Sequence, residues 1–451
     1  MARSRFRSEC YPRQEQRVGI GLGTLLMLVL FAGFISPRTY ALTPAIFAIA
    51  VIVAGVNRRR PALPAWVLLS GSQRAFLTFG AILLAFFCWS ALSAAWSPFP
   101  WEGLKASLAG FGVAALVLSA AVYIAIERHP DALRLAEGLW LGMLFSTLFL
   151  AIEVWSRSAI KISILNLFSV QPQDLATPGV YIWRKGRIVS DNYSELTRIV
   201  APLPLLLGPA ILAARMALVK PWGLIVSLLL FTLVAAAIAG SGSESAKLAL
   251  VAGSLAAAAA VLSARWTFRG LAALWIVACL FIVPIVFAVD RLDLPKNPII
   301  ASAFRYSSPA ARIDIWHNYA TRTLKTPVFG RGANMTYALN LRVEPSYGAG
   351  GPVGKMRPGD SRPHTHNMFL QVWFELGGVG ALLFMATGLA LLVLIDRLPS
   401  VSKPMMLATF AAALAFITPS YGMWQDWIVG LASMVALASV VALKVAHDPP
   451  S

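Results

Sequence analysis

Two histidines separated by a single residue, His364 and His366, precede a long apolar stretch of the chain. A neutral imidazole accepts a proton near pH 7, which is the property that general base catalysis uses. Pro363, a polar residue and then an apolar run predict a helix start at this point. The positive end of a helix dipole disfavours imidazolium and attracts phosphate. The spacing therefore predicts a base or an anion site at a helix N-terminus.

A His-x-His pair is also compatible with a metal site. A zinc site needs further ligands, and Asp360 alone does not complete a set with His364 and His366. A second alternative is that both histidines only lie at the helix end with no chemical task. The sequence predicts no bound metal.

Arginines with nearby tryptophans supply a second kind of chemistry. Arg312 and Trp316 are four residues apart, so that they share a face if the segment 308–316 is a short helix. Trp316 suits either the membrane interface or a wall for a sugar ring. Arg187 ends a second basic segment that begins at Trp183. The planar guanidinium fork matches phosphate oxygens, although solvated surface charge is the simpler explanation for any one arginine.

The composition indicates the class of protein whose elements must position these residues. Of the 451 residues, 58% are hydrophobic and 13% are charged, with a mean hydropathy of +0.70. Soluble domains carry about 25% charged residues, so a soluble globular protein is excluded. The net charge of +18 is explained by membrane topology and anionic lipids rather than nucleic acid. The three cysteines are far apart and predict neither disulfides nor a thiolate site.

Apolar runs of spanning length predict an all-α polytopic membrane protein with about twelve transmembrane helices. The predicted spans are 18–36, 40–56, 75–95, 105–126, 135–155, 196–214, 218–239, 246–263, 268–289, 368–395, 404–420 and 425–445. The first follows a basic segment and is interpreted as an uncleaved signal anchor.

The distribution of Lys and Arg predicts the orientation. With a cytoplasmic N-terminus, the tails and short inner loops hold eighteen basic residues and the short outer loops hold three. Both termini are therefore expected inside. Residues 1–289 would then hold nine spans and the outer loop 156–195, residues 290–365 a large outer loop, and residues 366–451 three spans. Loops of that length are usually functional.

The motifs resemble those of bacterial O-antigen ligases and the related O-antigen polymerases. The similarity rests on His366-Asn367 followed after nine residues by Gly377-x-x-Gly380, and on the preceding block that runs from Arg312 to Gly332. It is concentrated in residues 308–384. The resemblance implies a GT-C-like glycosyltransferase architecture with a large periplasmic loop.

The resemblance further implies a transfer of glycan from undecaprenyl diphosphate to an acceptor hydroxyl, such as that of lipid A-core, at the periplasmic face of the bacterial inner membrane. It implies neither metal nor cofactor. The partners would be the lipid-linked glycan, the glycan acceptor and membrane lipids. The nearest alternative is an O-antigen or exopolysaccharide polymerase that uses the same donor. A flippase is less favoured, because no symmetry between halves of the chain is visible.

Roles follow from this reaction. His366 is expected to take the proton of the acceptor hydroxyl. Arg312 and then Arg187 are expected to stabilise the charge on the departing diphosphate. The remaining residues expected to orient or bind substrate are His364, Asn367, Trp316, Gln371 and Lys247. Lys247 stands where many members of the family have an arginine, and Gln371 has the alternative of facing a neighbouring helix.

Glu375 lies nine residues into the predicted helix from His366. An ionisable group at that depth indicates a function, or else a hydrogen-bonded structural carboxylate between helices. The second interpretation is preferred. Gly377 and Gly380 are expected to allow close packing.

Overall fold

The computed structural model describes residues 13–57, 71–126, 129–171, 181–184, 186–191, 194–292, 309–342, 365–419 and 421–447. These residues are mainly helical. The helices, in chain order, are α1 (Arg13–Ile35), α2 (Thr43–Asn57), α3 (Gly71–Leu92), α4 (Pro100–Ala125), α5 (His129–Trp155), α6 (Ala159–Leu167), α7 (Ser194–Ile199), α8 (Leu203–Ala217), α9 (Trp222–Gly240), α10 (Glu244–Arg291), α11 (Pro309–Thr323), α12 (Met335–Arg342), α13 (Met368–Asp396), α14 (Lys403–Ile417) and α15 (Asp426–His447). Two strands, β1 (Tyr181–Arg184) and β2 (Arg187–Asp191), form an antiparallel hairpin between α6 and α7.

Nine helical segments among the described residues are long and apolar enough to cross a membrane. They are α1, α3, α4, α5, the Leu196–Ala217 segment, α9, α10, α13 and α15. The protein is therefore an all-α polytopic membrane protein, as the composition predicts. Two further predicted spans fall on the shorter apolar helices α2 and α14. The number of twelve and the GT-C-like architecture stay predictions.

The predicted spans 246–263 and 268–289 both lie in α10, which runs for 48 residues. The inner loop expected between them is replaced by a single non-helical residue, Ser263, with φ −158° and ψ 97°. Neither Gly nor Pro lies at residues 263–267, so the chain resumes its helix at once. The Ser263 hydroxyl lies 3.5 Å from the backbone N–H of Trp266, as in an N-cap.

The chain divides into two compact units, each discontinuous in sequence. The first unit comprises residues 1–63, 116–243 and 430–451. In it α1 packs against α5, where Gly23 and Gly138 leave no room for a side chain between the two backbones. The β-hairpin is tied to α6, because the Asn166 amide both donates to Ile188 O and accepts from Ile188 N at 2.9 Å.

The second unit comprises residues 64–115 and 244–429. Its core is a cluster of rings around Trp275, which packs against Phe369, Phe384 and Phe410 at centroid distances of 5.1 to 5.5 Å. The indole N–H of Trp275 donates to Met385 O at 3.0 Å. These contacts join α10, α13 and α14, and they fix α13, the helix that begins directly after His366.

Candidate functional site

A tight turn with its own hydrogen bonds precedes α13. Asn367 is the N-cap residue, and its side chain accepts from the backbone N–H of Leu370 at 3.1 Å. The Thr365 hydroxyl donates to Asn367 O at 2.6 Å and accepts from Asn367 N at 3.2 Å. Thr365 and Asn367 are almost fully buried. The predicted helix start is thus confirmed, and the residues on both sides of His366 hold the backbone in place.

His366 lies at the tip of this turn in a left-handed conformation, with φ 53°. This conformation costs a non-glycine residue roughly 1 to 3 kcal/mol and persists only where the surroundings enforce it. The side chain is half-buried. His366 is therefore a partly accessible imidazole at the N-terminus of a long helix, held by buried neighbours. His364 lies outside the described residues.

α11 carries Arg312 and Trp316 on one face, and the predicted helix there is confirmed. Both side chains are half-buried. Burial lowers the pKa of the Arg312 guanidinium, and Tyr421 acts in the opposite direction. The Trp316 indole N–H is buried without an acceptor among the described residues. Among the described residues, this face of α11 presents a cation without a carboxylate partner and an indole N–H without an acceptor, which suits an anionic ligand that carries hydroxyls.

Residues 421–424, called here the bridging segment, contact the first turns of α13. This segment begins at Tyr421. Two residues later, Met423 N donates to the side-chain oxygen of Gln371 at 3.1 Å. Gln371 lies in the second turn of α13, close in sequence to His366. α11 also packs against α13 through Tyr319 and Phe374, so the helix that carries Arg312 lies beside the helix that begins after His366.

Glu375 is fully buried, and its carboxylate accepts hydrogen bonds from five donors. They are Asn334 N at 2.8 Å, Thr336 N at 3.0 Å, the Thr336 hydroxyl at 2.5 Å, the Gln371 amide at 3.1 Å and the Trp424 indole at 2.5 Å. We call this group the carboxylate cluster. It holds the start of α12, the bridging segment and α13 together, which supports the structural interpretation of Glu375.

A second set of contacts, the glycine junction, joins the loop 327–332 to residues 374–379 of α13. The helix breaks at Gly377, which has φ 65°, and the freed backbone groups bond to the loop. Gly332 N donates to Glu375 O at 2.8 Å, and Gly378 N donates to Pro327 O at 2.8 Å. A side chain on Gly377 would meet Val328 O. The two motif blocks of the sequence are thus in direct backbone contact.

The predicted substrate residue Gln371 is enclosed by protein. Its amide donates to Glu375 and to the Thr336 hydroxyl at 3.1 Å, and its carbonyl oxygen accepts from Met423 N. The exposed fraction of Gln371 is 2%. These contacts favour the alternative in which Gln371 faces neighbouring elements. Asn367 is likewise occupied as a cap.

The other predicted cations differ in their surroundings. Lys247, in the first turn of α10, lies 3.1 Å from the Glu244 carboxylate in a partly exposed ion pair. Arg187 is exposed on β2 in the first unit, whereas Arg312 belongs to the second unit. Among the described residues, no three His, Cys, Asp or Glu side chains lie together as metal ligands.

Sequence reasoning did not select Tyr421 or Trp424, which lie more than 50 residues from the histidines along the chain. A Tyr-x-x-Trp sequence between two apolar helices is a weak signal, because both residue types are common at membrane interfaces. Trp424 is important because its indole N–H donates to the Glu375 carboxylate.

Comparison with known proteins gives one result for the family. The family model described as O-antigen ligase matches residues 228–385, a range that contains α10, α11, the glycine junction, His366 and Glu375. No curated protein matches the chain. Residues 228–385 are therefore similar to the O-antigen ligase family, as the motifs predict.

Proposed function

We propose that the protein transfers a glycan from undecaprenyl diphosphate to an acceptor hydroxyl at the periplasmic face of the inner membrane, without a metal ion. The observation that carries the proposal is the joint placement of His366 and Arg312. One is held at the start of α13 and the other on α11, and the two helices pack against each other through Phe374 and Tyr319, whose ring centroids are 4.9 Å apart. The O-antigen ligase match over the same residues supports this reaction class.

In the proposed reaction, a neutral imidazole nitrogen of His366 accepts the proton of the acceptor hydroxyl. The acceptor oxygen forms a bond to the anomeric carbon while the bond from that carbon to the diphosphate oxygen breaks. The electron pair of that bond remains on the diphosphate, so negative charge increases there. A general base of this kind contributes about 10²- to 10⁴-fold to the rate.

Arg312 is proposed to bind the departing diphosphate. Its fork supplies paired N–H donors to phosphate oxygens, and its partial burial strengthens that attraction relative to water. Trp316, one turn further along α11, would contact the sugar through its ring or through its indole N–H, which has no acceptor among the described residues. Arg187 is retained as a second candidate for the diphosphate, and His364 as a residue that orients the base. Lys247 is retained as a weaker candidate because it already pairs with Glu244.

The proposed topology has twelve spans, both termini in the cytoplasm and residues 290–365 in the periplasm, in a GT-C-like architecture. The charge asymmetry of the short loops supports it. A lipid-linked donor keeps its polyprenyl tail in the bilayer and its diphosphate at the interface. Cationic groups beside long apolar helices suit such a donor.

A polymerase is the second candidate, since the same groups would serve the same donor while another lipid-linked glycan accepts the transfer. The acceptor distinguishes the two. Loss of a ligase leaves lipid A-core without O-antigen, whereas loss of a polymerase leaves a single attached repeat.

The test is transfer in vitro by the purified full-length protein, with a defined undecaprenyl diphosphate glycan and either lipid A-core or a second lipid-linked glycan as acceptor. We expect transfer to lipid A-core, and we expect it to persist in EDTA. Transfer only to the second glycan would establish the polymerase. Loss in EDTA with restoration by one metal would contradict the metal-free mechanism, and no transfer to either acceptor would contradict the function.

A further inference from the structure

Two arginines of the second unit lie over a buried pair of aromatic rings. Tyr319 of α11 and Phe374 of α13 pack edge to face with centroids 4.9 Å apart, and both are almost fully buried. The guanidinium carbon of Arg322 lies 6.0 Å from the Tyr319 ring centre. That of Arg331 lies 5.7 Å from the Phe374 ring centre. The packed pair of rings thus holds both guanidinium groups through cation–π contacts.

The two cations have no carboxylate partner among the described residues. The Nε atom of Arg331 is buried and has no acceptor there. Burial lowers the pKa of Arg331, and the positive charge of Arg322 lowers it further. Like charges placed together without a counter-charge are unfavourable, because each disfavours the charged form of the other. An anion from outside the protein would relieve that repulsion.

Arg331 is fixed by the backbone as well as by its ring contact. Its N–H donates to Phe374 O at 3.2 Å within the glycine junction. Residues 330 and 332, on either side, are glycines with positive φ. The Arg331 backbone is therefore held in place, and its guanidinium is held by the contact with the Phe374 ring, so that the pair is preorganised for a ligand.

The arginine pair is separate from the proposed donor site. Arg322 lies ten residues after Arg312 on α11, so that their Cα atoms are about 15 Å apart along the helix axis. A group bound at the arginine pair would therefore belong to a second ligand, or to a part of the acceptor that is distant from its reacting hydroxyl.

We propose that Arg322 and Arg331 form a second anion site that binds a phosphate-class group. Two guanidinium forks present more paired donors than one carboxylate can accept, whereas a tetrahedral phosphate offers oxygens to both. Two sources carry this chemistry at the outer face of a membrane. One is a phosphate on a glycan acceptor, and the other is the headgroup of an anionic phospholipid.

The experiment measures binding rather than transfer, so its outcome is independent of the proposed function. Full-length protein carrying Arg312→Gln, which removes the proposed donor site, is titrated with inorganic phosphate in a non-ionic detergent at constant ionic strength. The same protein is then placed in nanodiscs of phosphatidylcholine with or without phosphatidylglycerol, and the retained lipid is identified by native mass spectrometry. Each titration is repeated with Arg331→Gln added, and separately with Arg322→Gln, which changes only a helix-surface side chain.

We expect either arginine substitution to weaken binding by about tenfold or more, since a hydrogen bond to a charged group is worth that much. The matched control is Lys325→Gln, an exposed cation between the two arginines in sequence, and it should change binding by less than about twofold. A loss of inorganic phosphate binding indicates a free or glycan-carried phosphate. A selective loss of retained phosphatidylglycerol indicates a headgroup. Two results would overturn the proposal. One is that the Arg312→Gln protein binds neither inorganic phosphate nor phosphatidylglycerol, and the other is that this binding survives Arg322→Gln and Arg331→Gln.

Discussion

Glu375 and the arginines of α11 and the adjoining loop lie in the same compact unit, yet their surroundings are opposite. The buried Glu375 carboxylate accepts five hydrogen bonds from protein donors. Arg312 and Arg331 are partly buried, and no described carboxylate pairs with either. A buried charge is costly unless it is compensated. Compensated charged groups therefore hold this fold together, whereas uncompensated charged groups are the ones available to a ligand.

Among substitutions of Glu375 and of these arginines, Arg312→Gln is expected to reduce the rate of transfer most. Removing one donor from a site that stabilises developing charge typically costs about 10²- to 10³-fold in rate. The initial rate of transfer by purified protein measures this loss, and the melting temperature should remain close to that of the unsubstituted protein.

Lys325→Gln is the matched control, since it removes an exposed cation from the segment after α11. Its transfer rate should stay within about twofold of the unsubstituted protein. Equal losses from Arg312→Gln and Lys325→Gln would mean that general electrostatics, rather than a diphosphate contact, explains Arg312.

The second prediction concerns the stability of the protein rather than its rate of transfer. Glu375→Ala removes the acceptor of five donors and leaves several of them buried and unpaired, so we expect a loss of about 3 kcal/mol or more in unfolding free energy. Glu375→Gln keeps one acceptor oxygen and should lose less. Thermal unfolding in detergent measures both.

Folded Glu375→Gln protein should transfer glycan at a rate within about tenfold of that of the unsubstituted protein, because the carboxylate is enclosed by protein. A stable Glu375→Gln protein with no transfer would place Glu375 in the chemistry instead of the scaffold.

A smaller effect is expected at the cap of α13. Asn367→Ala removes the acceptor for Leu370 N and should cost about 1 kcal/mol. Asn367→Asp keeps a capping oxygen and should recover that stability. If Asn367→Asp restores the melting temperature but not transfer, Asn367 also contacts substrate, as the sequence predicts.

The smallest effect is expected at Lys247, whose charge is already paired with Glu244 at 3.1 Å. Lys247→Gln should alter the transfer rate by less than about twofold, because a partly exposed ion pair contributes little. Lys247→Arg serves as the control for side-chain length. A loss above tenfold in Lys247→Gln that Lys247→Arg restores would show that this cation binds substrate.

Local features of this unit are predictable from sequence, because they depend on neighbours along the chain. The helix that carries Arg312 and Trp316, the start of α13 after His366 and the burial of Glu375 follow from spacing and polarity. Composition likewise predicts a polytopic membrane protein, while the number of spans is harder, since α10 passes from one predicted span to the next with only Ser263 out of helical conformation.

Contacts between distant segments are not predictable in this way. Two of the residues that donate to Glu375, Thr336 and Trp424, are 39 and 49 residues away along the chain. The break at Gly377 depends on a loop that approaches from residues 327–332. The sequence therefore predicts that Glu375 is structural but not what it joins, and it predicts close packing at Gly377 but not the left-handed turn.

The proposed function requires that the imidazole of His366, and not merely the turn that contains it, takes the proton of the acceptor hydroxyl. His366→Gly tests this claim most directly, because glycine adopts φ 53° without strain and so preserves the turn. The measurement is the initial rate of transfer by the purified variant, with its melting temperature as the check on folding. We predict a melting temperature at or above that of the unsubstituted protein and a rate lower by about 10²- to 10⁴-fold. A folded His366→Gly protein that transfers glycan at an unchanged rate would contradict the account.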